Sequence, residues 1–268
     1  MITKFNYNKI TRTLSHSSLS VSLFKKILFD KFYARHEASC KNFFKKRDFL
    51  KYFTTGSPEE LQPDFTDLKR IYDLVRKRRP KCILEFGSGF STIAFALAAK
   101  VNEEKENFET RIFSVDSNIN WIKNSENKLS PILKKYINFQ YSKTKIISYK
   151  EQIASIHENL PDISPNLIYL DGPSGEDVNG DIYNISFKSK NFYNEDNSIF
   201  YKNNGRRIVS ADPLFYESSA PADFFILVDR RYCAANFLEK NLMYDYKIKK
   251  NLHFGGFVTF EKKYQPYP

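Results

Sequence analysis

Four acidic residues stand where short apolar runs of the chain end, and each could contribute a carboxylate to a common site. They are Glu85, Asp116, Asp171 and Asp229. In a parallel sheet the carboxyl ends of the strands share one edge, and ligands bind outside that edge. The order of these residues therefore predicts a single polar ligand site built from four strand ends.

A glycine-containing turn follows the first of these residues, in the segment Glu85–Gly89. Glycines at a strand-to-helix turn let the backbone approach a ligand closely, and the start of the helix offers free N–H groups. We therefore expect a nucleotide-like cofactor at Gly87 and Gly89. Thr92 stands where a dinucleotide-binding turn has a third Gly or Ala, which weakens an NAD interpretation. The turn also lacks the Gly-Lys-Ser/Thr ending of a triphosphate-binding loop.

This order of residues resembles the class I S-adenosylmethionine-dependent methyltransferases, in which an acidic residue ends the first strand and a Gly-x-Gly turn follows. The match covers roughly Leu61 to Lys262. The resemblance implies that the turn wraps the methionine part of the cofactor and that Asp116 binds the ribose hydroxyls, because one carboxylate can accept two hydrogen bonds. The cofactor-binding residues that it implies are Glu85, Gly87, Ser88, Gly89, Ser91, Thr92, Asp116 and Ser117.

The segment Ile168–Pro173 is similar to the fourth strand of small-molecule methyltransferases, in which an Asp-Gly step faces the methyl donor. The resemblance makes Asp171 the candidate catalytic residue, either as a base or as the group that orients the acceptor. His157 and His253 rank behind it. We expect His157 on a solvent-facing helix with a structural role, and His253 in a turn.

The strand that ends at Asp229 is similar to that of a subgroup often found with sugar and surface-polysaccharide genes. We expect Asp229 and Arg231 to bind the acceptor. Arg230 stands where the catechol-type branch has an amide ligand for a divalent metal, so a cation replaces that ligand. We therefore predict that the protein uses no metal.

The same residues have ordinary structural interpretations as well. The glycines suit any α/β turn, Asp116 suits a helix cap, the segment Asp171–Pro173 suits a turn, and Asp229 and Arg231 suit an ion pair at the rim. Their occurrence in the required order favours the functional interpretation.

The elements that must hold these residues alternate from Lys81 onward between short apolar runs and helical segments. This alternation predicts an α/β, Rossmann-like doubly wound and mostly parallel sheet with a C-terminal antiparallel strand pair, preceded by an N-terminal helical extension. The predicted strands are Cys82–Phe86, Arg111–Asp116, Ile137–Tyr141, Asn166–Asp171 and Phe224–Asp229, followed by the pair Tyr244–Lys250 and Phe257–Lys262. The predicted helices are Ser91–Lys100, Ile119–Leu129, Glu151–Asn159 and Cys233–Leu242, after an earlier helix that Asp64 opens and that stops near Arg79.

The chain has 268 residues, of which 41% are hydrophobic, and it contains no long uninterrupted apolar run. This composition excludes a disordered chain and an integral membrane protein. We expect a basic helical extension over residues 1–60 and a class I methyltransferase domain over residues 61–268. The long polar and aromatic segment 172–222 is expected to be an insertion that covers the substrate.

The net charge of +11 lies almost entirely in the first part of the chain, since residues 1–80 hold 18 Lys and Arg against 8 Asp and Glu. Three interpretations suit this part: a cap over the site, which we prefer, a peripheral membrane contact through residues 1–55, or a nucleic-acid arm. Because residues 81–268 are nearly neutral, we expect no nucleic-acid partner. Three widely spaced cysteines and no visible secretory signal predict a reduced, cytoplasmic protein.

The sequence thus predicts an enzyme that transfers a methyl group from S-adenosylmethionine to a small-molecule acceptor, a hydroxyl or amine of a sugar or glycan precursor. Two alternatives from other classes are an NAD-binding oxidoreductase or epimerase, and a non-catalytic, membrane-associated scaffold with a Rossmann-like fold.

Overall fold

A computed structural model of the chain describes residues 19–55, 62–188, 208–251 and 256–263, with the backbone alone for 19–28. Its strands, in chain order, are β1 (Cys82–Phe86), β2 (Arg111–Asp116), β3 (Ile137–Tyr141), β4 (Thr144–Tyr149), β5 (Gln152–His157), β6 (Leu167–Leu170), β7 (Val178–Asn179), β8 (Phe225–Asp229), β9 (Tyr246–Asn251) and β10 (Phe257–Lys262). Its helices are α1 (Leu19–Lys45), α2 (Phe65–Arg78), α3 (Phe90–Glu106), α4 (Ile119–Lys128), α5 (Pro131–Lys134) and α6 (Tyr232–Asn241).

Within these described ranges, seven strands form the central sheet, in the order β3-β2-β1-β6-β8-β10-β9. The first five are parallel, and β10 runs antiparallel to both of its neighbours. From β1 the chain adds β2 and β3 on one side, and it then returns to the other side of β1 to add β6 and β8. The direction in which strands are added therefore reverses between β1 and β6. This architecture confirms the predicted fold class and places a topological switch point at the carboxyl end of β1.

The predicted bounds of β1, β2 and β3 are confirmed, and β6 and β8 are shorter than predicted by one or two residues. The helix predicted over Glu151–Asn159 is wrong, because residues 152–157 form strand β5. This strand pairs antiparallel with β4, which the sequence analysis did not predict, and β7 pairs with the other side of β4. Lys150 and Glu151 both have positive φ, of 47° and 63°, and reverse the chain in a two-residue hairpin turn.

Helix α2 begins where the sequence predicts, because the Asp64 side chain accepts hydrogen bonds from the backbone N–H groups of Thr66 and Asp67. Its end is set by Arg79, whose φ of 49° is left-handed. In the N-terminal extension, α1 packs along α2. The predicted boundary near residue 60 lies outside the described residues. In the described part of the chain, no helix is long and apolar enough to cross a membrane.

Alternate residues of β1 face opposite sides of the sheet, and both sides are covered. Ile83 points to the side packed by α1, α2 and α3, and Leu84 and Phe86 point to the side packed by α6. Helix α1 of the N-terminal extension therefore belongs to the layer that covers the Ile83 side of the sheet. Phe44 of α1 is fully buried and has ring contacts with Phe53 at 5.0 Å and with Phe43, Phe65 and Tyr72 at 5.2 to 6.1 Å.

The substitution Phe44→Ala tests whether the extension shares the stability of the whole fold. Loss of this buried ring should lower the free energy of unfolding by about 3 to 5 kcal/mol, measured by urea denaturation. Phe215→Ala is the matched control, because that ring is 55% exposed, and its effect should stay below about 1 kcal/mol. Equal effects of the two substitutions would contradict an integral packing role for α1.

Candidate functional site

A cavity of about 510 Å³ lies at the carboxyl ends of β1, β2, β6 and β8, beside the switch point. Its volume is in the range of sites that hold cofactors or other small molecules. Loops after all four strands contribute to its wall. The predicted site residues that line it are Gly87, Ser88, Gly89, Ser91, Asp116, Ser117, Asp171, Asp229 and Arg231.

The floor of the cavity is formed where the loop after β1 touches the loop after β6. Gly87 has a φ of 101°, and a Cβ atom there would lie 3.0 Å from the Asp171 carbonyl carbon. A Cβ atom on Gly172 would lie 2.9 Å from the Gly87 nitrogen. Glycine at both positions is therefore what lets the two loops meet, a role for Gly87 that the sequence analysis did not predict.

Glu85 and Thr92, both predicted to bind the cofactor, are fully buried and do not line the cavity. The Glu85 carboxylate accepts hydrogen bonds from the hydroxyls of Ser91, Thr92 (2.6 Å) and Ser114 (2.7 Å). Thr92 also accepts from the Gly89 backbone N–H at 3.0 Å. These two side chains therefore stabilise the glycine turn from the side that faces away from the cavity. Burial raises the pKa of Glu85 to about 7, although the three hydroxyls oppose that shift.

Asp116 lies at the end of β2 and is buried, but it lines the cavity. One of its oxygens accepts from the Ser88 N–H at 2.6 Å and the other from the Asn118 N–H at 2.7 Å. Burial raises the pKa of Asp116 to about 6, against these two hydrogen bonds. Because each carboxylate oxygen has two lone pairs, Asp116 keeps acceptor capacity for a ligand.

Asp171 is half-exposed at the end of β6 and is held by Arg231. The Arg231 Nε donates to Asp171 Oδ1 at 3.3 Å, Nη1 donates to the Pro173 carbonyl at 2.9 Å, and Nη2 donates to the Asp171 carbonyl. Arg231 therefore fixes the loop that carries Asp171. Asp229, at the end of β8, lines the same region, and burial followed by the nearby Asp171 charge raises its pKa well above the ordinary value.

The opposite wall comes from the start of α2, which the sequence analysis did not assign to the site. Arg230 donates hydrogen bonds to Asp64 and Asp67, and all three residues line the cavity. The Tyr33 hydroxyl of α1 donates to Asp64 at 2.6 Å. The sequence at Asp64 signals only a helix cap, and this residue both caps α2 and lines the cavity.

Among the described residues, no cluster of three His, Cys, Asp or Glu suits a metal ion.

His157 is not on a solvent-facing helix, which corrects that expectation. It ends strand β5, its side chain is buried, and it lines the cavity. Its Nδ1 lies 2.7 Å from Asp212 Oδ2, and its ring stacks on Phe86 with centroids 5.2 Å apart. No sequence signal pointed to Asp212, which is 55 residues away in the predicted insertion. His253 lies outside the described residues.

No protein-family model matches the sequence, and no curated protein matches it. Among solved structures, the chain is similar to the O-methyltransferase from Bacillus cereus in complex with SAH, with 11% identity over 84% of this chain and 91% of that chain and a TM-score of 0.46. It is also similar to the O-methyltransferase TomG from Streptomyces achromogenes in complex with SAM, with 10% identity, 85% and 89% coverage and a TM-score of 0.44. An SAH-bound methyltransferase from Podospora anserina has 14% identity, 98% and 99% coverage and a TM-score of 0.40.

The substitution Glu85→Gln tests the burial of this carboxyl group through the pH dependence of stability. Because the pKa is raised from 4.5 to about 7 in the folded state, the folded protein binds more protons than the unfolded chain in this interval. The stability from this group is therefore present in full below about pH 4.5 and is lost as the pH rises through about 7. Glutamine does not titrate. The decrease in the free energy of unfolding between pH 4.5 and 7 should therefore be smaller in the variant than in the wild-type protein, by up to about 3 kcal/mol.

Urea denaturation of the wild-type protein and the variant at several pH values measures this difference. Asp116 has a pKa shifted in the same direction and is present in both proteins, so some decline should persist in the variant. Identical pH profiles would contradict a buried, titrating Glu85.

Proposed function

We propose that the chain is an S-adenosylmethionine-dependent methyltransferase that acts on a small-molecule acceptor. The observation that carries the proposal is the pairing of the Gly87 turn with Asp116 at the switch point of the sheet. Asp116 presents a buried carboxylate beside a turn in which only glycine fits, and both border one cavity. This combination suits a nucleoside with a diol and a tail that passes close to the backbone.

The residues present fit this cofactor in two respects. Gly89 lines the cavity and has no other atom within 4 Å of the place of a Cβ atom, so a ligand can approach the main chain there. Asp116 and Ser117 would hold the ribose, and Gly87, Ser88, Gly89 and Ser91 would border the amino-acid part. S-adenosylmethionine, when bound, supplies a methyl group on a positively charged sulfur.

The chain's own contribution to methyl transfer is positioning and removal of a proton. Asp171 lies at the meeting point of the two loops, and the Arg231 contacts limit its movement. A carboxylate fixed in this way can orient an acceptor hydroxyl and accept its proton. Asp229 and Arg231 are proposed to bind the acceptor beside it.

The acceptor side of the cavity favours a polar, uncharged group, which supports a sugar or glycan-precursor hydroxyl as the acceptor. Asp67, Asp171 and Asp229 face this region together with Arg230 and Arg231. Burial and the nearby Asp171 charge raise the pKa of Asp229 well above its ordinary value, and the carboxylates of Asp67 and Asp171 are paired with Arg230 and Arg231. Such a wall offers hydrogen bonds rather than a net charge. An amine is the other acceptor group that we propose.

We further propose that residues 1–60 form a helical extension of a methyltransferase domain over residues 61–268. Residues 172–222 are proposed to cover the substrate. The protein is also proposed to be cytoplasmic and to work without a metal ion. A membrane contact through residues 1–55 is a further proposal, and it concerns a segment that is only partly described.

The substitution Asp116→Asn tests the cofactor assignment. The amide keeps the shape of the side chain but loses acceptor capacity, so the affinity for S-adenosylhomocysteine and S-adenosylmethionine should fall about 10- to 100-fold. Calorimetric titration of the two ligands measures this change, and thermal melting checks that the variant is folded.

Asp48→Asn is the control, because this side chain is 83% exposed and does not line the cavity. Its affinities should equal those of the wild-type protein. If the wild-type protein binds neither ligand, the cofactor assignment is wrong and the scaffold alternative gains support. Binding of NADH alone would instead favour the oxidoreductase.

The substitution Asp171→Asn separates catalysis from cofactor binding. We expect the affinity for S-adenosylhomocysteine to stay within about 3-fold of the wild-type value, because Asp171 is assigned to the acceptor. Methyl transfer should fall about 100-fold or more, since the amide cannot accept the proton. A panel of sugar nucleotides, catechols and amines with mass-spectrometric detection of S-adenosylhomocysteine measures turnover.

Asp162→Asn is the matched control for this assay, since Asp162 is exposed and lies away from the cavity wall. Unchanged turnover of the Asp171 variant would contradict its catalytic role. Turnover of catechols while every sugar nucleotide fails would contradict the proposed acceptor class.

A further inference from the structure

The predicted insertion supplies an acidic residue that holds a buried histidine at the cavity. Asp212 is fully buried and contacts His157 twice: its Oδ1 accepts the backbone N–H at 2.8 Å, and its Oδ2 lies 2.7 Å from the ring Nδ1. The Ser210 hydroxyl also donates to Oδ2, at 2.8 Å. These contacts fix the position of the imidazole ring.

The same contacts determine which ring nitrogen of His157 carries the hydrogen. An ionised Asp212 only accepts hydrogen bonds, so Nδ1 must be the donor toward it. In the neutral imidazole Nε2 then has a free lone pair and is an acceptor. Asp212 is thus a positioning residue that prepares Nε2 to accept a hydrogen bond.

Nε2 is buried and has no hydrogen-bond partner among the described residues. An unpaired buried polar atom is uncommon because it loses its interactions with water without replacement. His157 lines the cavity, so a bound ligand is the natural source of a partner. The ring also stacks on Phe86, directly before Gly87, which keeps it at the floor of the site.

His157 lies on the Asp116 side of the cavity. It pairs in register with Thr144, whose hydroxyl donates to the Asp177 carbonyl at 2.9 Å. The Asp177 carboxylate in turn accepts from Ser117, the residue after Asp116, at 3.3 Å. This is the side that the proposed function assigns to the nucleoside half of the cofactor.

We propose that His157 Nε2 accepts a hydrogen bond from a donor group on the nucleoside half of the cofactor, and that Asp212 enforces this acceptor state from the insertion. The inference rests on the proposed cofactor. The proposed function gives the hydrogens of both ribose hydroxyls to Asp116, so the adenine amino group is the donor that remains for Nε2, and analogues of the ligand test this assignment.

The test uses the full chain and calorimetric titration with S-adenosylhomocysteine. In His157→Asn, the amide can still donate toward Asp212 from the Nδ1 position, but no acceptor remains at the Nε2 position. Its affinity should fall about 10-fold or more. In His157→Gln, the amide oxygen reaches the Nε2 position, and this variant should recover much of the loss. Thermal melting confirms that both variants are folded.

Ligand analogues then identify the donor. S-inosylhomocysteine lacks the adenine amino group, and the 2′-deoxy and 3′-deoxy forms of S-adenosylhomocysteine each lack one hydroxyl. The wild-type protein should lose about 10-fold or more affinity for the analogue that lacks the bonded donor. His157→Asn should bind that analogue and the parent ligand within about 3-fold of each other.

The substitution Asp212→Asn tests the positioning role separately. If the amide NH2 faces Nδ1, the ring must place its hydrogen on Nε2, and the acceptor becomes a donor. The affinity for S-adenosylhomocysteine should then fall as in His157→Asn, with the same loss of discrimination between the parent ligand and the analogue.

The outcomes separate this inference from the cofactor assignment. If the wild-type protein binds S-adenosylhomocysteine and needs Asp116, but a folded His157→Asn variant binds equally well, the cofactor assignment stands and the role of His157 is overturned. Unchanged discrimination between S-adenosylhomocysteine and S-inosylhomocysteine in His157→Asn would overturn it as well. Absence of binding to the wild-type protein would overturn both proposals.

Discussion

The close approach of the loops after β1 and β6 is the constraint on which the rest of the site depends. Gly87 and Gly172 leave no room for a Cβ atom on either side, so the two neighbouring strand ends meet through their main chains. This contact places Asp171 beside the glycine turn, and the turn brings the Ser88 N–H to Asp116. A larger residue at either position would separate the groups that the cavity brings together.

Polar groups behind the cavity stabilise the glycine turn after β1. Glu85 is surrounded by three hydroxyls, and Thr92 relays that network to the backbone of Gly89. The cost of burying the carboxyl group appears as its raised pKa, and the hydrogen bonds offset part of this cost. The identity of residue 85 therefore matters for the shape of the turn even though its side chain does not face the cavity.

The sequence predicts strands correctly where the pattern of buried residues and the turn residues agree. It does not predict a hairpin whose turn lacks the residues usual for that turn. β1, β2 and β3 are short apolar runs, and their bounds were predicted correctly. The β4 and β5 hairpin was missed because Lys150 and Glu151 adopt positive φ without the Asn-Gly pair that normally marks such a turn. The helix predicted in place of β5 puts His157 on the wrong surface, and its contact with Asp212, 55 residues away, leaves no local signal in the sequence.

Two segments outside the alternating strands and helices hold residues of the cavity wall from different sides. Each does so through carboxylates that accept hydrogen bonds from a residue of the wall. From the N-terminal side, Asp64 and Asp67 receive the hydrogen bonds of Arg230. From the insertion, Asp212 receives that of His157. Both contacts join residues that are far apart in sequence, so they form only when the sheet is assembled. In the proposed enzyme the acceptor wall and the cofactor wall are therefore fixed by different segments.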